Sequence, residues 1–139
     1  MRVGLVAAAV LCLMAGGVSA ANGVGIERSV YVERSHQGTR ALEPATTLRK
    51  GDKVVLVLAW RAAAARGFTL ESAVPRPLAF QRAGNEEVEV SIDQGRNWGQ
   101  LEDLRIGSRL ASAEDVTHLR LRVPASAPAG RITYSAIVR

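Results

Sequence analysis

Apolar and polar residues alternate with a period of two in several stretches of this chain. The pattern is clearest in Glu87–Ile92 and Val116–Val123. Because successive side chains of a β-strand point to opposite faces, this period constrains the chain to half-buried strands. The residues predicted to face the core are Val88, Val90, Ile92, Leu119, Leu121 and Val123. Those predicted to face solvent are Glu87, Glu89, Ser91, His118, Arg120 and Arg122, so neighbouring strands would form glutamate–arginine pairs.

The sequence predicts an all-β fold of about seven strands. These strands are Ile26–Val32, Lys53–Trp60, Phe68–Ser72, Leu78–Gln81, Glu87–Ile92, Val116–Val123 and Ile132–Val138. His36–Pro44 is predicted to be a polar connection and Arg61–Gly67 a loop. Val74–Pro77 carries two prolines, which cannot donate to a ladder, so it is predicted to lie at an edge or to change sheets. Short strands separated by turn signals predict an antiparallel, immunoglobulin-like β-sandwich.

Met1–Ala20 has the pattern of a cleaved signal peptide, which would form a helix before the sandwich. Arg2 supplies a positive charge, Val3–Met14 is almost wholly apolar, and Val18 and Ala20 are small residues at the −3 and −1 positions of a cleavage site. The apolar run is shorter than the roughly 20 residues that span a bilayer, so no stable membrane anchor is predicted. Residues 21–139 are then a single exported domain, periplasmic or extracellular.

Cys12 is the one cysteine of the chain, and it lies in the predicted signal peptide. A mature domain without a thiol excludes disulfides, thiolate metal sites and cysteine nucleophiles. We therefore expect hydrophobic packing alone to hold the exported domain together.

The formal net charge of +5 comes almost entirely from arginine. A basic protein is a candidate for nucleic-acid binding. Here the arginines are scattered from Arg28 to Arg139, and no aromatic residues are interleaved with them to stack bases. The charge pattern therefore predicts no nucleic-acid partner.

Ser91, Asp93, Gly95 and Trp98 fit the Ser-x-Asp-x-Gly-x-x-Trp pattern called an Asp box. Gly95 supplies the positive φ of a tight turn, Asp93 can accept hydrogen bonds from turn amides, and Trp98 can pack back on the hairpin. The pattern therefore predicts a structural hairpin and not a catalytic device. A propeller, in which Asp boxes are familiar, needs far more chain than this.

Oxygen-bearing side chains near this turn suggest a calcium site as an alternative. They are Asp93, Asn97, Glu102 and Asp103. An EF-hand loop needs an acidic or amide group at its third position and glutamate at its twelfth, where this chain has Gly95 and Leu104. A solvated turn is the favoured interpretation, and no metal or cofactor is predicted.

No arrangement of residues in the sequence predicts a catalytic site. His36 and His118 are far apart, neither belongs to a metal-spaced motif, and the chain has no Gly-x-Ser-x-Gly elbow. We therefore expect no enzyme activity. A cleft that gathers His36 or His118 with carboxylates would favour an enzyme instead.

The Lys53–Trp60 strand is apolar on both of its faces. Val54, Leu56, Leu58 and Trp60 form one face, and Val55, Val57 and Ala59 form the other. A half-exposed strand needs one such face. Either a loop such as Arg61–Gly67 covers the second face, or the face packs against another protein or a second copy. Pairing through a sheet edge is the other possible contact with a partner.

Four stretches resemble the conserved-repeat domain of bacterial cell-surface and secreted proteins, the eleventh family in the domain-of-unknown-function series. They are Leu48–Val55, with its leucine–glycine–aspartate turn into a strand, Ser72–Phe80, Val90–Gly95 and Ala113–Leu121. The resemblance covers one copy over about residues 46–139. It implies an immunoglobulin-like sandwich in an envelope protein without enzyme activity, and it transfers no catalytic or binding residues.

Two functions follow as hypotheses. The first is an exported, non-catalytic structural or protein-interaction module of the envelope. The second is a small carbohydrate- or ligand-binding domain. Sugar sites stack rings on exposed aromatics, so Trp98 and a second aromatic exposed on one face would favour the second hypothesis.

Overall fold

The computed structural model describes residues 23–63 and 66–139, which form ten strands and two 3-10 turns. The strands are β1 (Val24–His36), β2 (Thr39–Pro44), β3 (Lys53–Ala62), β4 (Phe68–Ala73), β5 (Leu78–Ala83), β6 (Glu89–Ser91), β7 (Arg105–Ile106), β8 (Arg109–Leu110), β9 (His118–Val123) and β10 (Ala129–Val138). The 3-10 turns are Leu101–Asp103 and Ala113–Asp115. None of the helices in these ranges is long and apolar enough to cross a membrane. The predicted signal peptide, including Val18 and Ala20, lies outside the described residues.

The strands form two main sheets and a small hairpin. The larger sheet has the order β2-β1-β3-β10-β5, the smaller sheet has the order β4-β9-β6, and β7 pairs only with β8 in the described chain. All of the strand pairs are antiparallel. The prediction of an all-β antiparallel sandwich is therefore confirmed, while its immunoglobulin-like subtype stays a prediction.

One hydrophobic core lies between the two main sheets. From the larger sheet it takes the alternate residues Val54, Leu56, Leu58 and Trp60 of β3, together with Ile132, Tyr134 and Ala136 of β10. From the smaller sheet it takes Leu70, Val90, Leu119, Leu121 and Val123. The inward faces predicted from the period of two are confirmed, with Ile92 half-buried at the margin of the core.

The prediction that His36–Pro44 is a polar connection is wrong, because Thr39–Pro44 forms a strand. β1 continues to His36, the chain turns at Gln37 and Gly38, and β2 returns beside it. Positive φ angles of 49° at Gln37 and 81° at Gly38 are typical of a two-residue hairpin turn whose twist matches its strands. All residues of β2 are exposed, so the strand lacks the alternation that sequence reasoning depends on.

The two prolines in Val74–Pro77 separate strands that belong to different sheets. β4 lies at the edge of the smaller sheet, and β5 lies at the edge of the larger one. The backbone N–H of Leu78 donates to the carbonyl of Pro75 at 2.9 Å, which closes the turn between them. The predicted change of sheets is confirmed.

β6 and β9 are neighbours, as the glutamate–arginine pairing requires. Glu89 stands opposite Arg120, and Arg120 Nη2 donates to Glu89 Oε2 at 3.0 Å. Ser91 stands opposite His118 on the same outward face. The prediction that Ser91 faces solvent is nevertheless wrong, since its exposed fraction is 0%. The turn that follows β6 folds back over this side chain.

The outward face of β3 is only half-buried. Val55, Val57 and Ala59 share this face with Tyr31 of β1 and Ser135 of β10. Neighbours in the same sheet therefore cover part of each apolar side chain. Their role as a docking surface remains a prediction.

Arg28 links the larger sheet to the edge of the smaller one. It is on the inward face of β1, and its Nη2 donates to Ser72 Oγ of β4 at 3.0 Å.

Burial raises the pKa of nearby Tyr134 to about 12, and the positive charge of Arg28 partly opposes that rise. The Tyr134 hydroxyl has no hydrogen-bond partner among the described residues.

Replacement of Gly130 by alanine tests the packing between β10 and β3. Gly130 stands opposite Trp60, and a Cβ there would overlap Trp60 Cζ2 and lie 2.9 Å from Cη2. We expect Gly130→Ala to lower the free energy of unfolding by about 1–3 kcal/mol, because the indole must leave its packed position. Urea unfolding measures the change.

Gly99→Ala is the matched control for this substitution. A Cβ at Gly99 would meet Leu104 at 3.5 Å, an ordinary contact. The free energy of unfolding should then change by less than about 0.5 kcal/mol. An equal loss in both variants would show that the Trp60 contact does not determine the result.

Candidate functional site

The Asp-box segment forms a closed hydrogen-bonded turn directly after β6. Ser91 Oγ accepts from the Gly95 N–H at 2.8 Å and donates to Asp93 Oδ1 at 2.8 Å. Asp93 Oδ1 also accepts from the Asn97 N–H at 2.9 Å, while Asp93 Oδ2 accepts from Asn97 Nδ2 at 2.6 Å. The structure thus brings three of the four predicted site residues into one network, and sequence reasoning missed Asn97 as a member of it.

These hydrogen bonds lower the pKa of Asp93 to about 2. The largest cause is the side-chain amide of Asn97, followed by the Asn97 backbone and the Ser91 hydroxyl. Donors that bond to a carboxylate favour its ionised form. Asp93 is therefore ionised at neutral pH with both oxygens engaged, which does not suit a general acid.

The turn requires left-handed backbone at two successive residues. The φ angles are 62° at Gln94 and 87° at Gly95. Glycine adopts such angles without steric cost. A Cβ at Gly95 would lie 3.4 Å from the Trp98 ring, an ordinary contact, so the positive φ and not a lack of space favours glycine here.

Trp98, the fourth predicted residue, lies over an arginine on the outward face of the smaller sheet. The guanidinium carbon of Arg120 is 4.6 Å from the centroid of the Trp98 ring, within the range of a cation–π contact. Arg120 also forms the ion pair with Glu89, and its side chain is only 18% exposed. The Asp box therefore places an aromatic cover over a charged cross-strand pair. The contact between Arg120 and Trp98 was not predicted from the sequence.

The four oxygen ligands considered for calcium do not form one site. Asn97 Nδ2 donates a hydrogen bond to Asp93 Oδ2, so this oxygen is already engaged. Glu102 and Asp103 lie exposed in the 3-10 turn further along the chain. In residues 23–63 and 66–139, no group of three or more potential metal-ligating side chains is present.

The aromatic residues do not form a shared exposed platform. Trp60 is 8% exposed and packs edge to face against Phe68, with ring centroids 6.3 Å apart. Trp98 is half-buried on the smaller sheet, whereas Tyr31 lies on the outward face of the larger sheet. In the described residues, Trp98 therefore has no second aromatic on its face with which to hold a sugar.

His118 lines a cleft of about 530 Å³ at one end of the sandwich. Its polar lining residues are Arg76, Gln94, Glu114, Thr117, His118 and Arg139, and its apolar lining includes Val74, Leu78 and Val116. The volume lies in the range of small-ligand pockets. These residues come from four separate segments of the chain, so no local pattern in the sequence indicates the cleft.

A hydrogen bond to Thr117 orients the histidine of the cleft. His118 Nδ1 is 3.0 Å from Thr117 Oγ1, whose hydroxyl donates to the Ser91 carbonyl at 3.2 Å. Glu114 also lines the cleft, and in the described structure its carboxylate forms no hydrogen bond with His118. The cleft therefore contains an imidazole and a carboxylate that do not contact each other through a hydrogen bond.

His36 lies in the other sheet, at the hairpin end of β1. His36 Nε2 is 3.1 Å from Glu43 Oε1, and both side chains are largely exposed. The histidines belong to separate surfaces of the fold, and they do not share a site in the described chain.

The outer strands of both sheets are the remaining candidate interaction sites. At β6, Val90 exchanges backbone hydrogen bonds of 2.9 and 3.1 Å with Gly99, which covers that edge. At β5, the Leu78 N–H bonds to Pro75, and the Leu78 carbonyl accepts from Arg139 Nε at 3.3 Å. These two edges are at least partly capped.

β4 presents an open edge. The bond from the Val74 N–H to the Thr117 carbonyl, 2.8 Å long, sets the alternation of the β4–β9 ladder. In that alternation, the backbone groups of Thr69, Glu71 and Ala73 point away from β9. In the described residues, the one bond that these groups receive is a long contact of 3.5 Å from Ser72 Oγ to the Ala73 carbonyl.

Comparison of the chain with models of protein families, with curated proteins and with solved structures finds no match.

Replacement of Ser91 tests the centre of the Asp-box network. Ser91→Ala removes the acceptor of the Gly95 N–H in a fully buried position. We expect the free energy of unfolding to fall by about 1–3 kcal/mol, because the half-buried Gly95 N–H loses its acceptor. Ser126→Ala, at an exposed position, is the control and should leave stability unchanged. Equal urea midpoints for both variants would contradict the proposed network.

The lowered pKa of Asp93 predicts a pH-dependent effect of Asp93→Asn. The ionised carboxylate stabilises the fold fully above its ordinary pKa of 3.8, and this contribution is lost as the pH falls through about 2. The wild type should therefore be more stable than the variant at neutral pH, and the difference should shrink in that acidic window. Urea unfolding across a pH series measures it, and a constant difference would contradict the assignment.

Proposed function

We propose that this chain is an exported, non-catalytic β-sandwich that acts as a structural or protein-interaction module of the bacterial envelope. The observation that carries the proposal is the open edge of β4. Among the described residues, the outward backbone groups of Thr69 and Glu71 and the Ala73 N–H have no partner, and the strand contains no proline. An extended segment of a partner can bond to such an edge and add a strand to the sheet.

The chemistry of the other sites supports a non-catalytic role. The Asp93 carboxylate is engaged by its own turn, and the Arg120 guanidinium is held between Glu89 and Trp98. These polar groups bond to other groups of the fold, whereas the polar groups of a catalytic site are available to a substrate. In the cleft, the Thr117 hydroxyl donates to a backbone carbonyl and is not activated by the neighbouring imidazole.

The proposed location rests on the sequence of Met1–Ala20. Its charged start, apolar run and small residues before the cleavage position are typical of a signal peptide. The resemblance to the conserved-repeat domain of surface and secreted proteins agrees with that location.

Small-ligand binding in the His118 cleft is the second candidate function. It is favoured by the cleft volume of about 530 Å³ and by the imidazole of His118 and the carboxylate of Glu114 in its lining. The lack of a paired aromatic platform makes sugar stacking on Trp98 the weaker version of this idea. The two functions differ in the residues on which they depend, because one uses β4 and the other uses the cleft.

Capture of partners from the envelope tests the β4 edge. Glu71→Pro removes one outward N–H from that edge, while the bonds of β4 to β9 use other residues. Glu71→Gln keeps the N–H and removes only the charge. We expect cross-linking in a fractionated envelope to capture the same protein with wild type and Glu71→Gln, and about tenfold less of it with Glu71→Pro.

Thermal unfolding of each variant checks that the fold is retained. Equal capture by Glu71→Pro would contradict docking at β4. A wild-type chain that is found in the cytoplasm, or that captures no protein from the envelope, would contradict the proposed function as a whole. If His118→Ala reduced the capture of the partner while Glu71→Pro left it unchanged, the result would favour binding in the His118 cleft.

A further inference from the structure

β2 is a regular strand whose residues are all exposed. It pairs with β1 from Thr39 to Pro44, yet no part of the smaller sheet buries it. Leu42 is 52% exposed, one of three large apolar side chains in the described chain with such exposure. A strand of this kind presents its outer edge and both faces to solvent.

The hairpin register shows which backbone groups β2 presents. His36 and Thr39 close the two-residue turn, and the Ala45 N–H bonds to the Val30 carbonyl at 3.0 Å in the same alternation. The backbone groups of Thr39, Ala41 and Glu43 therefore point toward β1. Those of Arg40 and Leu42 point outward, and no described residue bonds to them.

We infer that the partner of this edge is a second copy of the chain, which pairs antiparallel through its own β2. This inference rests on the proposed function as an interaction module. Arg40 of each copy would stand opposite Leu42 of the other, so that both outward pairs of N–H and C=O groups are used. The two-fold axis then passes beside Ala41, whose small side chain leaves the strands free to approach.

The charges on the outward face fit this register. Glu33 of β1 stands opposite Leu42 of β2, and Arg40 lies on the same face, where its Nε is 3.6 Å from Glu33 Oε1 of the same copy. Lys53 Nζ is 3.5 Å from Glu33 Oε2, so this carboxylate is already paired within each copy. Across the two-fold axis Arg40 stands opposite Leu42 of the second copy and Glu43 stands opposite Thr39, so no like charges face each other directly. The stem of each arginine can thus lie over the exposed leucine of the other copy. Pro44, which lacks an N–H, falls outside the four central backbone bonds.

The β4 edge is less suited to self-pairing. The central register of two antiparallel β4 strands would place Glu71 directly opposite Glu71 of the second copy. Like charges that face each other across a ladder are destabilising. A second copy therefore favours β2, and β4 remains open to a different partner.

Disulfide trapping tests the register. In the proposed pair, Ala41 faces Ala41 of the second copy at a non-hydrogen-bonded position, where Cα atoms are about 4.5 Å apart and a disulfide can form. Glu43→Cys is the matched control on the same face, and its copies would be about 13 Å apart along the strands. We expect Ala41→Cys, in the full chain with Cys12→Ser, to form disulfide-linked dimers about tenfold faster than Glu43→Cys.

Blocking the edge provides the second arm. Leu42→Pro removes an outward N–H and leaves the bonds of β2 to β1 intact, so it should abolish the trapping of Ala41→Cys and the concentration-dependent dimer in sedimentation velocity. Leu42→Val, which keeps the N–H and adds no charge opposite Arg40 of the second copy, guards against a folding defect and should retain the trapping. Equal trapping of Ala41→Cys and Glu43→Cys, or no dimer at any concentration, would overturn the inference. Capture of an envelope protein through β4 would survive that result, so failure here is distinct from failure of the proposed function.

Discussion

A sheet of three strands can cover only part of a sheet of five, and much of this structure depends on that mismatch. The inward residues of β3 and β9 are buried in one core, while every residue of β2 is exposed. Apolar surface that stays in water contributes no stability, so the uncovered strand has no alternating apolar face. The same mismatch leaves the edge of β4 beside the inward face of β1, where Arg28 reaches Ser72. The arrangement of the sheets thus determines where unpaired backbone meets solvent.

The Asp box ends the smaller sheet on its other side. After three residues of β6 the chain enters the Ser91–Asp93 turn and returns so that Gly99 bonds to Val90. The carboxylate of Asp93 bonds inside the turn, and Trp98 covers Arg120 on the outward face. One short segment therefore caps an edge and shields a charged pair. Its chemistry is consistent with a structural role, because its donors and acceptors bond to each other.

The sequence predicted the features that depend on neighbours in the chain. The alternation in Val116–Val123 placed its inward residues correctly, and the prolines of Val74–Pro77 identified the change of sheets. β2 could not be predicted in this way, since a strand exposed on both faces has no hydrophobic period. The burial of Ser91 was missed because its cover is a turn and not a facing strand. The His118 cleft is lined by four segments that are distant in the chain, and no local pattern predicts that they come together.

The two open edges require different chemistry from a partner. At β4, Glu71 disfavours an acidic residue opposite it in a partner strand. At β2, the residues whose backbone groups point outward are Arg40 and Leu42, and Glu33 lies beside Leu42 on the neighbouring strand β1. Because β2 and β4 belong to different sheets, occupation of one edge leaves the other's backbone groups free. Two copies joined through β2 would carry two β4 edges. Binding of the second edge to a clustered envelope partner then becomes intramolecular, so the pair would bind more tightly than a single copy without any new type of contact.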